Sequence, residues 1–77
     1  MKYKLDYVVQ ENGKWFAEVS KQGTSARENT KELWGEKGLG YNSLKFRLME
    51  HYNIELPMIK ELVLIRKTTC KRIYSVA

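Results

Sequence analysis

Tyr3-Lys4-Leu5-Asp6-Tyr7-Val8-Val9-Gln10 runs into Glu11-Asn12-Gly13 and out again through Lys14-Trp15-Phe16-Ala17-Glu18-Val19-Ser20. The first arm alternates. Met1, Tyr3, Leu5, Tyr7 and Val9 fall on one face, and Lys2, Lys4, Asp6 and Gln10 on the other. That is the period of a half-buried strand. Glu11-Asn12-Gly13 is a hairpin signal, and Trp15, Ala17 and Val19 alternate with Glu18 and Ser20 in the returning arm. A two-residue Asn-Gly loop would set Val9 against Phe16, Tyr7 against Glu18 and Leu5 against Ser20. A three-residue loop sets Val9 against Trp15, Tyr7 against Ala17 and Leu5 against Val19. A one-residue slip turns every side chain to the other face, so the apolar pattern favours the second register, with Gly13 as its left-handed residue.

Outward from this hairpin, Lys21-Gln22-Gly23-Thr24 reads as a turn. Ser25-Ala26-Arg27-Glu28 matches a capping box and predicts a first helix over about Ala26–Lys37, closed by Gly38. Asn42 or Ser43 caps a second helix reaching about Tyr52, with Leu44, Leu48 and Tyr52 at i, i+4 and i+8. Pro57 opens a short helical turn at Pro57–Glu61 or simply ends the connection. Leu62–Lys67 and Arg72–Ala77 read as two strands around a turn at Thr68–Lys71. The expected fold is α+β in the order β-β-α-α-β-β, a small antiparallel sheet of two hairpins with two central helices on one face. Its 77 residues make one domain, 1–77. A core this small is thin, and oligomerisation, including a homodimer, would supplement it.

Hydrophobic residues at 43% and charged residues at 30% are globular values. Cys70 is the lone cysteine, so no internal disulfide forms, which fits a reducing compartment. The N-terminus lacks a signal-like apolar core, and the longest unbroken apolar run is Leu62-Val63-Leu64-Ile65. The expectation is a cytoplasmic protein without a membrane partner. Catalysis is not expected. His51 is the only histidine, no two of the nine carboxylates stand out as an acid/base pair, and no metal-ligand spacing occurs. Gly38-Leu39-Gly40 lacks the third glycine of a dinucleotide fingerprint and the Gly-Lys-Ser/Thr of a P-loop. No cofactor is expected either.

Charge is distributed unevenly. The net charge is +5, and residues 62–77 supply +4 of it through Arg66, Lys67, Lys71 and Arg72, with no acid among them. Such a cluster fits an anionic partner, where its cations would crowd at one hairpin end and hold phosphates. Lys and Arg also blunt exposed edge strands.

The stretch Thr30-Lys31-Glu32-Leu33-Trp34-Gly35-Glu36-Lys37-Gly38-Leu39-Gly40-Tyr41-Asn42-Ser43-Leu44-Lys45-Phe46-Arg47-Leu48 resembles a helix-turn-helix. Leu33, Gly38, Leu39, Leu44 and Leu48 carry the apolar and turn positions. With the basic hairpin as a wing, the resemblance extends to winged-helix-like DNA-binding domains. It implies that the second helix enters the major groove, where Tyr41, Asn42, Ser43, Lys45 and Phe46 would face base edges. Asn can pair with adenine, and Lys with guanine or phosphate.

The functional expectation is therefore a small non-enzymatic nucleic-acid-binding protein, with duplex DNA as partner, acting as a regulator or as a phage or mobile-element accessory protein. Phosphate contacts would come from Arg66, Lys67, Lys71 and Arg72, and base contacts from the second helix. The alternative is a phage-type inhibitor or antagonist that docks on a host protein with an acidic surface, using Trp15, Trp34, Tyr41 and Phe46. RNA bound on an open sheet face through Tyr7, Trp15 and Tyr74 is a third reading.

Overall fold

A computed structural model of the chain describes residues 2–34 and 39–76. The order is β1 (Tyr3–Glu11), β2 (Lys14–Lys21), β3 (Arg27–Asn29), α1 (Thr30–Trp34), α2 (Tyr41–Tyr52), a 3-10 turn (Ile59–Glu61), β4 (Val63–Lys67) and β5 (Lys71–Ser75). The fold is α+β. The strands form one antiparallel sheet in the order β3-β2-β1-β5-β4.

The first hairpin closes through a two-residue turn and not the expected three-residue loop. Asn12 (φ 52°) and Gly13 (φ 78°) are both left-handed, and Glu11 faces Lys14. That conformation needs positive φ at both central positions, which Asn-Gly supplies. Val9 therefore pairs with Phe16 and Val8 with Ala17. The register then shifts at a bulge between Leu5 and Tyr7, and Leu5 faces Val19. Each of the two registers weighed above thus occupies part of the hairpin. The bulge adds one residue at Asp6, so Leu5 and Val8 both face the core. Tyr7 and Val9 turn to the opposite face, contrary to simple alternation. Ser20 Oγ donates to Asp6 Oδ1 at 3.1 Å across the shift.

The first helix is also corrected. Arg27–Asn29, expected as helix, forms β3 against Glu18–Ser20. The helix starts at Thr30, and its expected end at Lys37 and Gly38 lies outside the described residues. Ser25 makes no capping box with Glu28, whose carboxylate instead accepts from Tyr52 Oη at 2.8 Å. Pairing the outer side of β2 outweighs a local capping signal.

β2 is in fact covered along its length. After β3 ends, Thr30 Oγ1 accepts from Ala17 N at 2.9 Å, and this threonine is only 1% exposed. Further on, Trp15 N donates to Leu39 O at 2.8 Å. A strand, a side chain and a backbone bridge in turn satisfy one row of polar groups.

Helix α2 covers one face of the sheet. Gly40, not Asn42 or Ser43, is its N-cap, and Asn53 closes it in the left-handed conformation (φ 56°). Leu44, Leu48 and Tyr52 are its buried residues, as their spacing predicts. They meet Leu5, Val8, Trp15, Ala17 and Val19 from the sheet, with Ile54 and Leu56 from the segment after the helix. Trp15 stacks on Tyr74 at 5.6 Å and meets Tyr41 edge-on at 5.2 Å, while Tyr3 meets Tyr52 at 4.9 Å. These contacts tie both ends of α2 to the sheet.

Candidate nucleic-acid interface

The second hairpin lies beside the first because β5 pairs with β1. Glu11 faces Lys71, Gln10 faces Arg72, and Asn12 N donates to Cys70 O at 3.0 Å. The Asn12-Gly13 turn and the Thr68–Cys70 turn therefore share one end of the sheet. Between them lies a shallow cleft of about 300 Å³, lined among others by Gln10, Asn12, Lys67, Thr68, Lys71 and Arg72. Amides, hydroxyls and cations border it, which are the groups that bind phosphate oxygens.

The pleat divides the four cations. Directly paired residues share a face. Lys67 pairs with Arg72, which pairs with Gln10 on the helix-bearing side, one step from Tyr74 and Val8. Arg66 pairs with Ile73 on the opposite side, where Lys71 faces Glu11. The strand pairing places Lys67 and Arg72 on one face and Arg66 and Lys71 on the other, yet at the hairpin end Lys67, Lys71 and Arg72 line the one cleft, and Arg66 is the cation outside it. Glu11 is also 3.8 Å from Lys31 Nζ, so an acid stands beside Lys71. Among the described residues, none of these four cations makes an ion pair, though Lys71 faces Glu11 across the strands.

On α2, Tyr41 is half-buried. Its ring packs on Trp15 and its hydroxyl donates to Pro57 O, so it anchors the helix and is not free to face a groove. Burial, and then the Glu61 carboxylate, raise its phenol above the ordinary value of 10.0. Asn42, Ser43 and Lys45 are exposed. Asn42 and Lys45 line a separate groove with Phe46, Met49, Glu55 and Leu56. The fold thus gathers Lys67, Lys71 and Arg72 in one cleft and leaves Asn42 and Lys45 in another. Phe46 is 69% exposed and lies outside the core.

Gln10, Asn12, Thr68 and Thr69 join the cationic cleft, though the charge pattern alone does not select them. The Asn-Gly turn marks one wall of the cleft, but its closeness to the second hairpin depends on β1–β5 pairing. Trp15 and Tyr74 lie in or against the core on the helix side, and Tyr7 lies on the other face, bonded to Glu18 at 2.5 Å. That hydrogen bond is the main reason the Tyr7 hydroxyl titrates above 10.0. The three aromatics expected to stack RNA bases therefore share no surface.

Among the described residues, no group of three or more His, Cys, Asp and Glu could hold a metal ion. No described helix is long and apolar enough to cross a membrane. Comparisons with protein-family models, curated proteins and solved structures found no match to this chain.

Proposed function

We propose that this chain is a small cytoplasmic, non-enzymatic nucleic-acid-binding protein whose ligand is duplex DNA. The observation that carries the reading is the row Gln10–Arg72–Lys67, two cations without ion pairs beside Thr68 and Thr69 at one end of the sheet. Arg66 adds a third unneutralised charge on the other side of the same hairpin. Exposed Asn42, Ser43 and Lys45 on α2 supply the base contacts, and Tyr41 holds that helix on the sheet. The hairpin acts on phosphates as a wing does, in the manner of a small regulator or accessory factor.

Fluorescence anisotropy with random-sequence duplex DNA tests this. Binding at ~50 mM salt is expected to weaken with a log–log salt slope of about −3, one step for each unneutralised cation. Reversing Arg66, Lys67 and Arg72 to Glu abolishes it. No retention at low salt, or unchanged affinity of the reversed variant, overturns the reading. Replacing Asn42 and Lys45 with Ala relaxes sequence preference while leaving non-specific affinity within about threefold.

A second reading is favoured by the apolar groove of α2. Phe46, Met49 and Leu56 line it between Lys45 and Glu55, and Phe46 is largely exposed. An inhibitor module docking on a larger protein with an acidic surface would use this groove with the basic hairpin. It would retain no DNA, and its binding would fall on Phe46→Ala.

A further inference from the structure

The cleft at the hairpin end of the sheet is narrow in the chemistry it offers. Lys67, Lys71 and Arg72 line it together with Gln10, Asn12 and Thr69, and among the described residues no carboxylate and no aromatic side chain does. Without an aromatic face it offers no platform on which a base could stack. It reads negative charge and acceptor oxygens alone. Three cations with no lining acid match an anion of more than one charge.

Shape narrows the ligand further. Gln10, Lys67 and Arg72 come from β1, β4 and β5 and back the cleft, while Asn12 and Thr69 stand in the two turns. The bond from Asn12 N to Cys70 O joins those turns, and Thr68 Oγ1 donates to Lys71 O at 3.2 Å within the second. The donors are thus held in place before a ligand arrives. A cleft of about 300 Å³ has the volume of roughly ten waters, room for a phosphoryl group and its hydration but not for the body of a duplex. An internal phosphodiester continues into chain on both sides and would lie across the mouth of such a cleft. A strand end projects a single group inward. An internal diester carries one negative charge, whereas a phosphate monoester carries about −1.5 to −2 at pH 7 and presents three acceptor oxygens.

We propose that this cleft seats the terminal phosphate monoester of a nucleic-acid strand, with Lys67, Lys71 and Arg72 around its oxygens and Arg66, outside the cleft, on the internal phosphates. Resting on the nucleic-acid reading above, it adds to that reading a preference for strand ends.

Fluorescence anisotropy at ~50 mM salt compares otherwise identical blunt duplexes whose ends carry a 5′-phosphate, a 3′-phosphate or only hydroxyls. At least one phosphate-ended duplex is expected to bind about tenfold tighter than the hydroxyl-ended one, the effect of one added charge-assisted contact. Lys67→Gln/Arg72→Gln, at two exposed positions, should remove that preference with circular dichroism unchanged. Arg66→Gln should weaken phosphate-ended and hydroxyl-ended duplexes alike and leave the preference intact. Equal binding of all three duplexes overturns the inference while the nucleic-acid reading stands, whereas failure to bind any duplex overturns both. A preference that survives Lys67→Gln/Arg72→Gln puts the end site elsewhere and overturns the inference as well. Pyrophosphate that shifts the Thr69 and Cys70 amide resonances, in a chain indifferent to duplex ends, assigns the cleft to a free phosphate compound and also overturns it.

Discussion

The outer sides of two strands, β2 and β4, are finished in opposite ways. Along the outer side of β2, Arg27–Asn29 of the short terminal strand β3, Thr30 Oγ1 and Leu39 take up the outward polar groups in succession, and the covering residues 27–29 are polar. At the β4 edge, Val63, Leu64 and Ile65 are exposed and the outward ladder is open. Covering an edge turns exposed backbone into buried backbone, so every partner there becomes obligatory. Leaving an edge open keeps its backbone hydrated, so its residues are free to serve recognition instead of stability. One edge is therefore costly to alter, and the other is cheap to alter within the monomer.

Substitutions on the two sides test this contrast. The largest effect is expected at Trp15, which is buried, bridges to Leu39 and packs on Tyr41 and Tyr74. Trp15→Ala should lose about 3–5 kcal/mol, enough to remove the cooperative urea transition of so small a domain. Thr30→Val comes next. It preserves shape but strands the buried Ala17 N–H, and should lower the urea unfolding free energy by about 2 kcal/mol.

Tyr52→Phe removes the bond to Glu28 and should cost about 1 kcal/mol at neutral pH. It should also change the alkaline behaviour. Burial, and then the Glu28 carboxylate, hold the Tyr52 hydroxyl well above the usual phenol range. The folded state thus binds this proton more tightly than the unfolded chain. The stabilisation is complete below about pH 10 and is lost as pH rises beyond that. Urea midpoints measured on both sides of this value should fall less steeply with pH in the Phe variant. The smallest effect is expected at the open edge, where Val63→Thr and Leu64→Thr should shift monomer stability by about 0.5 kcal/mol or less. A Leu64→Thr cost as large as that of Thr30→Val would erase the distinction between the edges.

Much of this architecture is legible residue by residue. The presence of a hairpin at Glu11–Gly13, the Leu44/Leu48/Tyr52 stripe and the final hairpin follow from local chemistry, whereas the length of the first loop does not. The capping box at Ser25–Glu28 is equally local, yet it loses to the pairing of β2 and to Tyr52, which comes from a distant part of the chain. A three-residue strand has no period to detect, so β3 leaves little trace in the sequence. The cationic half of the candidate site is visible as composition. Its polar half, Gln10, Asn12, Thr68 and Thr69, is assembled by a pairing between the two ends of the chain.

Which segments turn, which face of α2 is apolar and where the unbalanced charge resides can all be read from short stretches of the chain. Those properties depend on dihedral preferences and periodicity over a few residues. The bulge at Asp6, the strand order, the covered side of β2, the open side of β4 and the gathering of Lys67, Lys71 and Arg72 in one cleft are set by long-range pairing. Each depends on which strand lies beside which, and a shift of one residue in that pairing sends every side chain to the other side of the sheet.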